Sequence, residues 1–252
     1  MPAAPAELLP CVNHRGPKLG RMKIMPLALA LAAAASVPAH AAERRYSVTD
    51  FDRVQVDGPY EVTLATGGSS SAVATGDSGG LERVSVEVQG RVLRIRPNRS
   101  GWGGYPGDTP GPVRIALTTR DLRGASVIGS GRLAVDRARG LKIELSVSGS
   151  GALSVGSVAA DTLLVGLVGS GQVELAGTAK QLRATIQGSG DLAAAGLTTD
   201  DAQLTADTSG SIALQAVRTA KVAALGRGSV QIGGAASCTL TGAAAGLVRC
   251  GR

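Results

Sequence analysis

The sequence predicts an all-β solenoid with coils of about 20 residues, and three observations support this fold class. A Gly-Ser-Gly triplet recurs at a nearly fixed spacing in the second half of the chain. Apolar residues occupy the same positions before and after every triplet. Glycine is abundant, at 36 of 252 residues, while aromatic residues make up only 2%. The predicted core therefore consists of Val, Leu, Ile and Ala.

Residues 1–41 are predicted to be a secretory signal peptide. Met25 to Ala35 is almost wholly apolar, follows a basic stretch and leads to Ala39-His40-Ala41, which resembles a cleavage site. The apolar stretch is shorter than the roughly 20 residues that a membrane span needs. Because 21 residues precede Met22, a start at Met22 would make residues 1–21 a misassigned extension.

Residues 42–252 are expected to form a single β-helix domain that is exported to the periplasm or the cell surface, with no transmembrane span. Removal of the signal peptide discards four cations, one carboxylate and both histidines, so the net charge falls from +7 to +4. The loss of both histidines excludes Ser-His-Asp and Cys-His catalysis and His-ligated metal sites. We predict no cofactor and no metal site, and the scarcity of aromatic residues argues against a nucleic acid partner.

The triplet recurs four times and is followed by two weaker copies. Counted at the last residue of each copy, the spacings are 20, 20, 19, 20 and 18 residues. A period near 20 indicates one coil of a solenoid for each copy. The full copies are Gly129-Ser130-Gly131, Gly149-Ser150-Gly151, Gly169-Ser170-Gly171 and Gly188-Ser189-Gly190, and the weaker ones are Thr208-Ser209-Gly210 and Gly226-Arg227-Gly228.

Apolar residues alternate on both sides of every copy. The positions four and six residues before the last residue of each copy are apolar, and so are the positions two and four residues after it. This period of two predicts two short, half-buried strands in each coil, joined at the triplet. The position four before holds Val127, Val147, Leu167, Ile186, Ala206 and Ala224, and the position two after holds Leu133, Leu153, Val173, Leu192, Ile212 and Val230.

The triplet is predicted to be the corner of each coil. Glycine accepts positive φ and lets the backbones of adjacent coils approach, while a small serine between two glycines stacks on its copies. The alternative is a flexible Gly/Ser linker, but linkers carry no phased apolar positions.

Cys238 and Cys250 are predicted to form a disulfide in the last coil. Gly246 continues the period 18 residues beyond Gly228, and both cysteines then fall in core-facing positions of one coil. Because an exported protein folds under oxidising conditions, we expect the pair to clasp the open end of the solenoid. Two buried free thiols are the alternative.

Residues 46–99 contain strand-like alternation without the triplet, as in Val84-Val86-Val88, and are predicted to form the opening coils and an N-terminal cap. Ser100 to Pro112 contains five glycines and three prolines and interrupts every periodicity, so it is predicted to be a long loop.

The residues quoted above, together with two further segments, resemble the auto-transporter adhesin family, also called the head GIN domain family. The further segments are Phe51-Asp52-Arg53-Val54 and Val92-Leu93-Arg94-Ile95, and the resemblance covers about residues 46–252. It implies a right-handed parallel β-helix of the pectin-lyase-like type. It also implies a role in cell adhesion and no established catalytic residues.

A carbohydrate-active enzyme of the β-helix type is the alternative function, because such enzymes use clustered carboxylates. The candidates are Asp191, Asp200, Asp201 and Asp207, with the Asp200-Asp201 pair at an expected bend. Adjacent acids more often satisfy turn backbone groups, and a sugar cleft usually adds aromatic platforms, which this part of the chain lacks. We therefore predict no catalytic residues.

A basic strip supplies a candidate ligand-binding surface. Arg94 and Arg96 share one face of a predicted strand, and Arg91 and Arg99 lie close by in the sequence. Guanidinium groups suit the carboxylates of acidic glycans and the phosphates of lipids. The alternative is a solvated outward face balanced by Glu82 and Glu87.

Together these observations predict an exported, non-enzymatic protein of the periplasm or cell surface. Its repeated faces would bind a glycan, an envelope polymer or another protein by multivalent contact. A structural module of the envelope is a further alternative.

Overall fold

The part of the chain that the structure describes folds as a β-solenoid of about 6 turns with 73% strand, which confirms the predicted fold class. The computed structural model describes residues 42–98 and 112–251. The predicted signal peptide, Arg99 of the predicted basic strip and most of the predicted loop lie outside the described residues.

Among the described residues, eight strands and one short helix precede the long strands of the regular coils. The strands lie in a single sheet that winds around the solenoid axis. The elements are β1 (Ala42–Tyr46), β2 (Arg53–Asp57), β3 (Glu61–Thr66), β4 (Ser71–Gly76), α1 (Ser78–Glu82), β5 (Val84–Gln89), β6 (Val92–Pro97), β7 (Arg114–Thr119) and β8 (Gly124–Gly129).

The regular coils follow, and each long strand runs from one triplet to the next. Each pairs in parallel with the coil before it and the coil after it. The elements are β9 (Arg132–Gly149), β10 (Ala152–Gly169), β11 (Gln172–Gly188), β12 (Asp191–Thr208), β13 (Ser211–Ala224), β14 (Ser229–Gly233), β15 (Ser237–Thr241), the 3-10 helix η1 (Ala245–Leu247) and β16 (Val248–Cys250).

The phased apolar residues form the core, as predicted. All four repeated positions are buried in every coil from Ala125 to Ile232. A strand turns alternate side chains to opposite faces, so this pattern fills the interior of the solenoid and leaves the intervening residues outside. Leu153, Leu163 and Leu167 are among the largest fully buried side chains, and they belong to one coil.

The triplets lie where the chain turns between β8 and β12, and they bring neighbouring backbones into close contact. The first glycine has positive φ, 117° at Gly149 and 112° at Gly169. The amide of Ser170 donates to the carbonyl of Gly149 at 3.0 Å, and that of Gln172 donates to the carbonyl of Gly151 at 3.0 Å. A Cβ atom at Gly171 would lie 2.5 Å from the carbonyl oxygen of Gly151. Only glycine fits there without a shift of the adjacent coil.

The weaker copy at Thr208 turns the corner differently. The Thr208 side chain is buried, and its Oγ1 donates to the carbonyl of Gly190 at 3.3 Å and accepts from the amide of Gly210 at 3.0 Å. The hydroxyl therefore satisfies polar backbone groups that the turn would otherwise leave unpaired.

In β9 to β13 the two half-strands of a coil are continuous at the side opposite the triplet, which the sequence did not predict. β9, β10 and β12 each span 18 residues and β11 spans 17. The chain bends there without leaving the sheet, because its backbone groups keep bonding to the next coil. The bend is accommodated by register shifts between Val155 and Val158 and between Glu174 and Ala176.

The first coil in the chain is not at the end of the solenoid. β2 pairs in parallel with β6 on one side and β8 on the other, and β3 pairs with β7 and β9 in the same way. The β2–β3 coil is therefore inserted between the β6–β7 coil and the regular coils. Gly58 forms its corner, with φ of 116° and an amide that donates to the carbonyl of Ile128 at 3.1 Å.

Antiparallel strands cap the N-terminal end. β5 pairs antiparallel with β6, β4 pairs antiparallel with β7, and β1 extends the sheet on β4. The described part of residues 46–99 thus supplies both a coil and a cap, as predicted, because switching to antiparallel pairing ends the stacking of parallel coils.

Cys238 and Cys250 form a disulfide with their Cα atoms 6.5 Å apart. Cys238 pairs with Ala220 and Cys250 with Ile232, so both continue core-facing columns of the preceding coil. Cys238 is partly buried and Cys250 is exposed. The bridge closes the last coil across its open face and restrains it from fraying.

Replacement of Gly171 by alanine tests the corner. Because the added Cβ would overlap the Gly151 carbonyl, we expect the free energy of unfolding to fall by about 1–3 kcal/mol, the usual cost of overpacking. Ser170→Ala, which changes an exposed side chain between the same glycines, should change the free energy of unfolding by less than about 0.5 kcal/mol. Urea unfolding followed by circular dichroism measures both, and equal effects would contradict the corner assignment.

Candidate ligand-binding surface

The segment Phe51-Asp52-Arg53-Val54 joins the inserted coil to the coils on both sides. The amide of Asp52 donates to the carbonyl of Arg91 at 3.1 Å, and its carbonyl accepts from the amide of Arg123 at 2.8 Å. Its carboxylate is largely buried and accepts from Arg91 Nε at 2.9 Å. Because a buried carboxylate needs such partners, Asp52 fixes Arg91 and the chain on both sides.

Arg53 crosses one coil to reach Glu144, which is 91 residues away in sequence. Arg53, Gly124 and Glu144 form one column across three coils. Gly124 leaves room for the Arg53 stem, since a Cβ atom there would lie 3.2 Å from Arg53 Cγ. Arg53 Nη1 therefore reaches Glu144 Oε2 at 3.1 Å, and Lys142 Nζ lies 2.7 Å from Glu144 Oε1. The hydrogen bond from Lys142 is the main cause that lowers the pKa of Glu144.

Two adjoining hollows surround this column, and we call them together the basic groove. The larger has a volume of about 520 Å³ and the smaller about 200 Å³, and both are lined by Asp121 and Arg139. Six cations line the groove against the carboxylates of Asp121 and Glu144. The cations are Arg53, Arg120, Arg123, Arg137, Arg139 and Lys142.

The basic groove was not predicted from the sequence, although the sequence contains a signal of it. Arg120, Arg123, Arg137, Arg139 and Lys142 fall within 23 residues of the sequence. These cations flank the regular strand positions and interrupt no periodicity, so the repeat pattern does not single them out. Their convergence with Arg53 depends on the inserted coil, which no local pattern reports.

The predicted basic strip is largely engaged in local contacts. Arg91 is held by Asp52, Arg94 Nη1 donates to Gln89 Oε1 at 3.0 Å, and Arg96 Nη2 lies 3.0 Å from Glu87 Oε2. Arg94 Nε is buried without a hydrogen-bond partner. Arg99 lies outside the described residues. Ligand binding by the strip stays a prediction. Because Glu87 contacts Arg96, it supplies part of the charge balance expected for a solvated outward face.

Asp200 and Asp201 belong to a column of alternating charge. They lie inside β12 rather than at a break between strands. Lys180 Nζ is 2.7 Å from Asp161 Oδ1 in the preceding coils, and Arg218 Nη2 is 2.8 Å from Asp201 Oδ2 and 3.7 Å from Asp200 Oδ2 in the next coil. The hydrogen bond with Asp161 raises the pKa of Lys180. Both acids therefore face cations of neighbouring coils.

The two other acids lie apart from this pair. Asp191 Oδ1 accepts from the amide and the hydroxyl of Ser211, each at 2.7 Å, and these bonds lower the pKa of Asp191. Asp207 is exposed on the strand end beside Gln187. Asp191 thus stabilises the next coil, because it accepts a hydrogen bond from a corner amide, that of Ser211, which would otherwise be unsatisfied.

The fold and this surface define a parallel β-solenoid with a basic groove on its side. A family profile described as "Putative auto-transporter adhesin, head GIN domain" matches residues 50–236. The chain belongs to this family. No curated protein matches it. In the described part of the chain, no helix has the length and apolar character to cross a membrane.

Solved structures share the fold at low sequence identity. A "putative adhesin" from Bacteroides fragilis NCTC 9343 has 20% identity and a TM-score of 0.70, with 81% of this chain and 94% of that chain covered. A "putative lipid binding protein" from Parabacteroides distasonis ATCC 8503 has 19% identity and a TM-score of 0.65, covering 81% and 95%. A "putative adhesin" from the same strain has 21% identity and a TM-score of 0.64, covering 84% and 95%.

Replacement of Asp191 by alanine tests whether this carboxylate is structural. We expect the free energy of unfolding at pH 7 to fall by about 1 kcal/mol, because two charge-assisted bonds to an exposed group are lost. The folded pKa lies below the unfolded one, so the contribution is present above the unfolded pKa and disappears as the pH falls through the folded pKa.

Urea unfolding at pH 7 and pH 3 measures this difference. The free energy of unfolding lost in Asp191→Ala should be smaller at pH 3 than at pH 7. The control Asp207→Ala should change the free energy of unfolding little at either pH. An unchanged stability of Asp191→Ala at pH 7 would contradict the structural role.

Proposed function

We propose that this protein is an exported, non-enzymatic, adhesin-like β-solenoid that binds a glycan, an envelope polymer or another protein at the cell surface or in the periplasm. The observation that carries the proposal is the arrangement of charge on the solenoid. Three of the four acids considered for catalysis, Asp191, Asp200 and Asp201, contact cations or hydroxyls of adjacent coils, whereas the basic groove keeps cations in excess.

The charge columns argue against a hydrolase or lyase. A working carboxylate pair needs two acids that face a bond across a cleft at about 5–9.5 Å. Asp201 instead contacts Arg218 and accepts a hydrogen bond from Thr219 Oγ1 at 2.8 Å. Arg218 and Thr219 of the next coil thus occupy the carboxylate of Asp201, and Arg218 also faces Asp200.

Membership of an adhesin family supports binding in place of chemistry. Parallel coils place equivalent side chains about 4.8 Å apart, so one extended surface can meet a long polymer at many points. The structural relative described as lipid binding supports lipid as a second candidate ligand, since lipid phosphates would use the same cations.

The proposal predicts retention without cleavage. The purified full-length chain should bind a subset of an array of bacterial envelope polymers and host glycans, and mass spectrometry should detect no released fragments in the presence of Ca²⁺. Asp200→Ala and Asp201→Ala should leave binding unchanged, because these acids serve the charge column.

Released fragments that disappear with Asp200→Ala or Asp201→Ala, while folding persists, would overturn the proposal in favour of an enzyme. Binding to no glycan, polymer or surface protein would favour the envelope structural module.

A further inference from the structure

We propose that the basic groove binds an acidic polysaccharide, a chain whose sugars carry carboxylate or sulfate groups. This inference rests on the proposed binding function and names the site and the ligand class. It depends on the balance of charge in the groove, on its shape and on the side chains that line it.

The cations of the groove are unequally satisfied. Lys142 and Arg53 both contact Glu144, which neutralises one of them. Among the residues that the structure describes, Arg120 and Arg139 form no ion pair. These two guanidinium groups therefore keep their hydrogen-bonding capacity for a ligand.

Two further guanidinium groups have only distant partners. Arg123 Nε lies 3.9 Å from Asp52 Oδ2, and that oxygen already accepts from Arg91 at 2.9 Å. Arg137 Nη2 lies 4.0 Å from Asp136 Oδ2, whose carboxylate accepts from the amide and hydroxyl of Thr66. These guanidinium groups lack short, paired hydrogen bonds, and an anion placed between them would supply such bonds.

The shape favours a chain over a compact anion. The two hollows share Asp121 and Arg139, so they lie side by side and together offer more than one binding position. The larger hollow alone has a volume of about 520 Å³, which lies within the roughly 300–1,000 Å³ of sites for organic ligands. A free phosphate or chloride would fill little of this space, whereas linked sugar rings extend along it.

The chemistry of the lining favours an acidic sugar over a nucleic acid. No aromatic side chain lines the groove, so bases would find no stacking partner. Leu141 lines the larger hollow with 78% of its surface exposed. Its side chain offers the C–H face of a sugar an apolar contact between charged groups. Because charge supplies most of the attraction, binding should weaken steeply with salt.

The site is tested with the double variant Arg120→Glu/Arg139→Glu and a matched control. Both replaced arginines lack an ion pair within the described chain, so the folded state should tolerate the change. The control Arg183→Glu/Arg227→Glu makes the same charge change at exposed positions outside the groove. Circular dichroism and urea unfolding verify that both variants fold.

Four probes are used. Alginate carries carboxylates, chondroitin sulfate carries carboxylates and sulfates, dextran is neutral, and vesicles of phosphatidylglycerol present lipid phosphates. The full-length protein should bind alginate or chondroitin sulfate, and binding should weaken about tenfold or more with Arg120→Glu/Arg139→Glu. The control should change it less than about twofold. Rising NaCl should weaken binding, and dextran should not bind.

Four outcomes would overturn this inference. They are equal binding by the two double variants, equal binding of dextran, binding to vesicles alone, and binding to none of these probes. The proposed function would survive any of them if another glycan, polymer or surface protein is retained without cleavage. Loss of all binding on a broad array would defeat the proposed function as well.

Discussion

Backbone hydrogen bonding from coil to coil is the interaction on which the rest of this structure depends. Each long strand pairs in parallel with both neighbours, and the glycine corners let these ladders continue through the turns. The solenoid has few large aromatic side chains to stabilise it, so small apolar residues must stack closely over many coils. A fixed register follows, and it determines which outward side chains meet. Asp161 meets Lys180, and Asp201 meets Thr219 and the neighbouring Arg218, because the register places them there.

The same register gathers the basic groove from distant parts of the chain. Arg53 belongs to the first coil of the sequence, while Arg123 lies just before β8 and Lys142 lies in β9. Insertion of the β2–β3 coil brings them together, and Asp52 bonds that coil to the segments around Arg91 and Arg123. Gly124 then allows Arg53 to reach Glu144. A surface for binding thus arises from how the coils are ordered along the axis.

The sequence predicted the regular coils well because one physical rule repeats in them. Alternating apolar residues and a glycine corner recur in phase from Val127 to Val230, and the cysteines continue that phase. Gly58-Pro59-Tyr60 keeps the same phase with Val56 and Val62, but it lacks the triplet, so the inserted coil was assigned only to the opening region. Its place in the stack depends on long-range parallel pairing, which leaves no local mark. The charge columns and the basic groove were missed for the same reason, since both require knowledge of which coils are neighbours.

Engineered disulfides would test the order of the coils most directly. Gln55 pairs with Arg94 on one side and with Ser126 on the other, so its coil separates theirs. Adjacent coils lie about 4.8 Å apart, within the span of a disulfide, while positions two coils apart are beyond it. Peptide mapping by mass spectrometry of oxidised protein should find a cross-link in Gln55→Cys/Ser126→Cys and none in Arg94→Cys/Ser126→Cys. The reverse result would mean that the coils stack in chain order, and it would contradict both the insertion and the groove that it assembles.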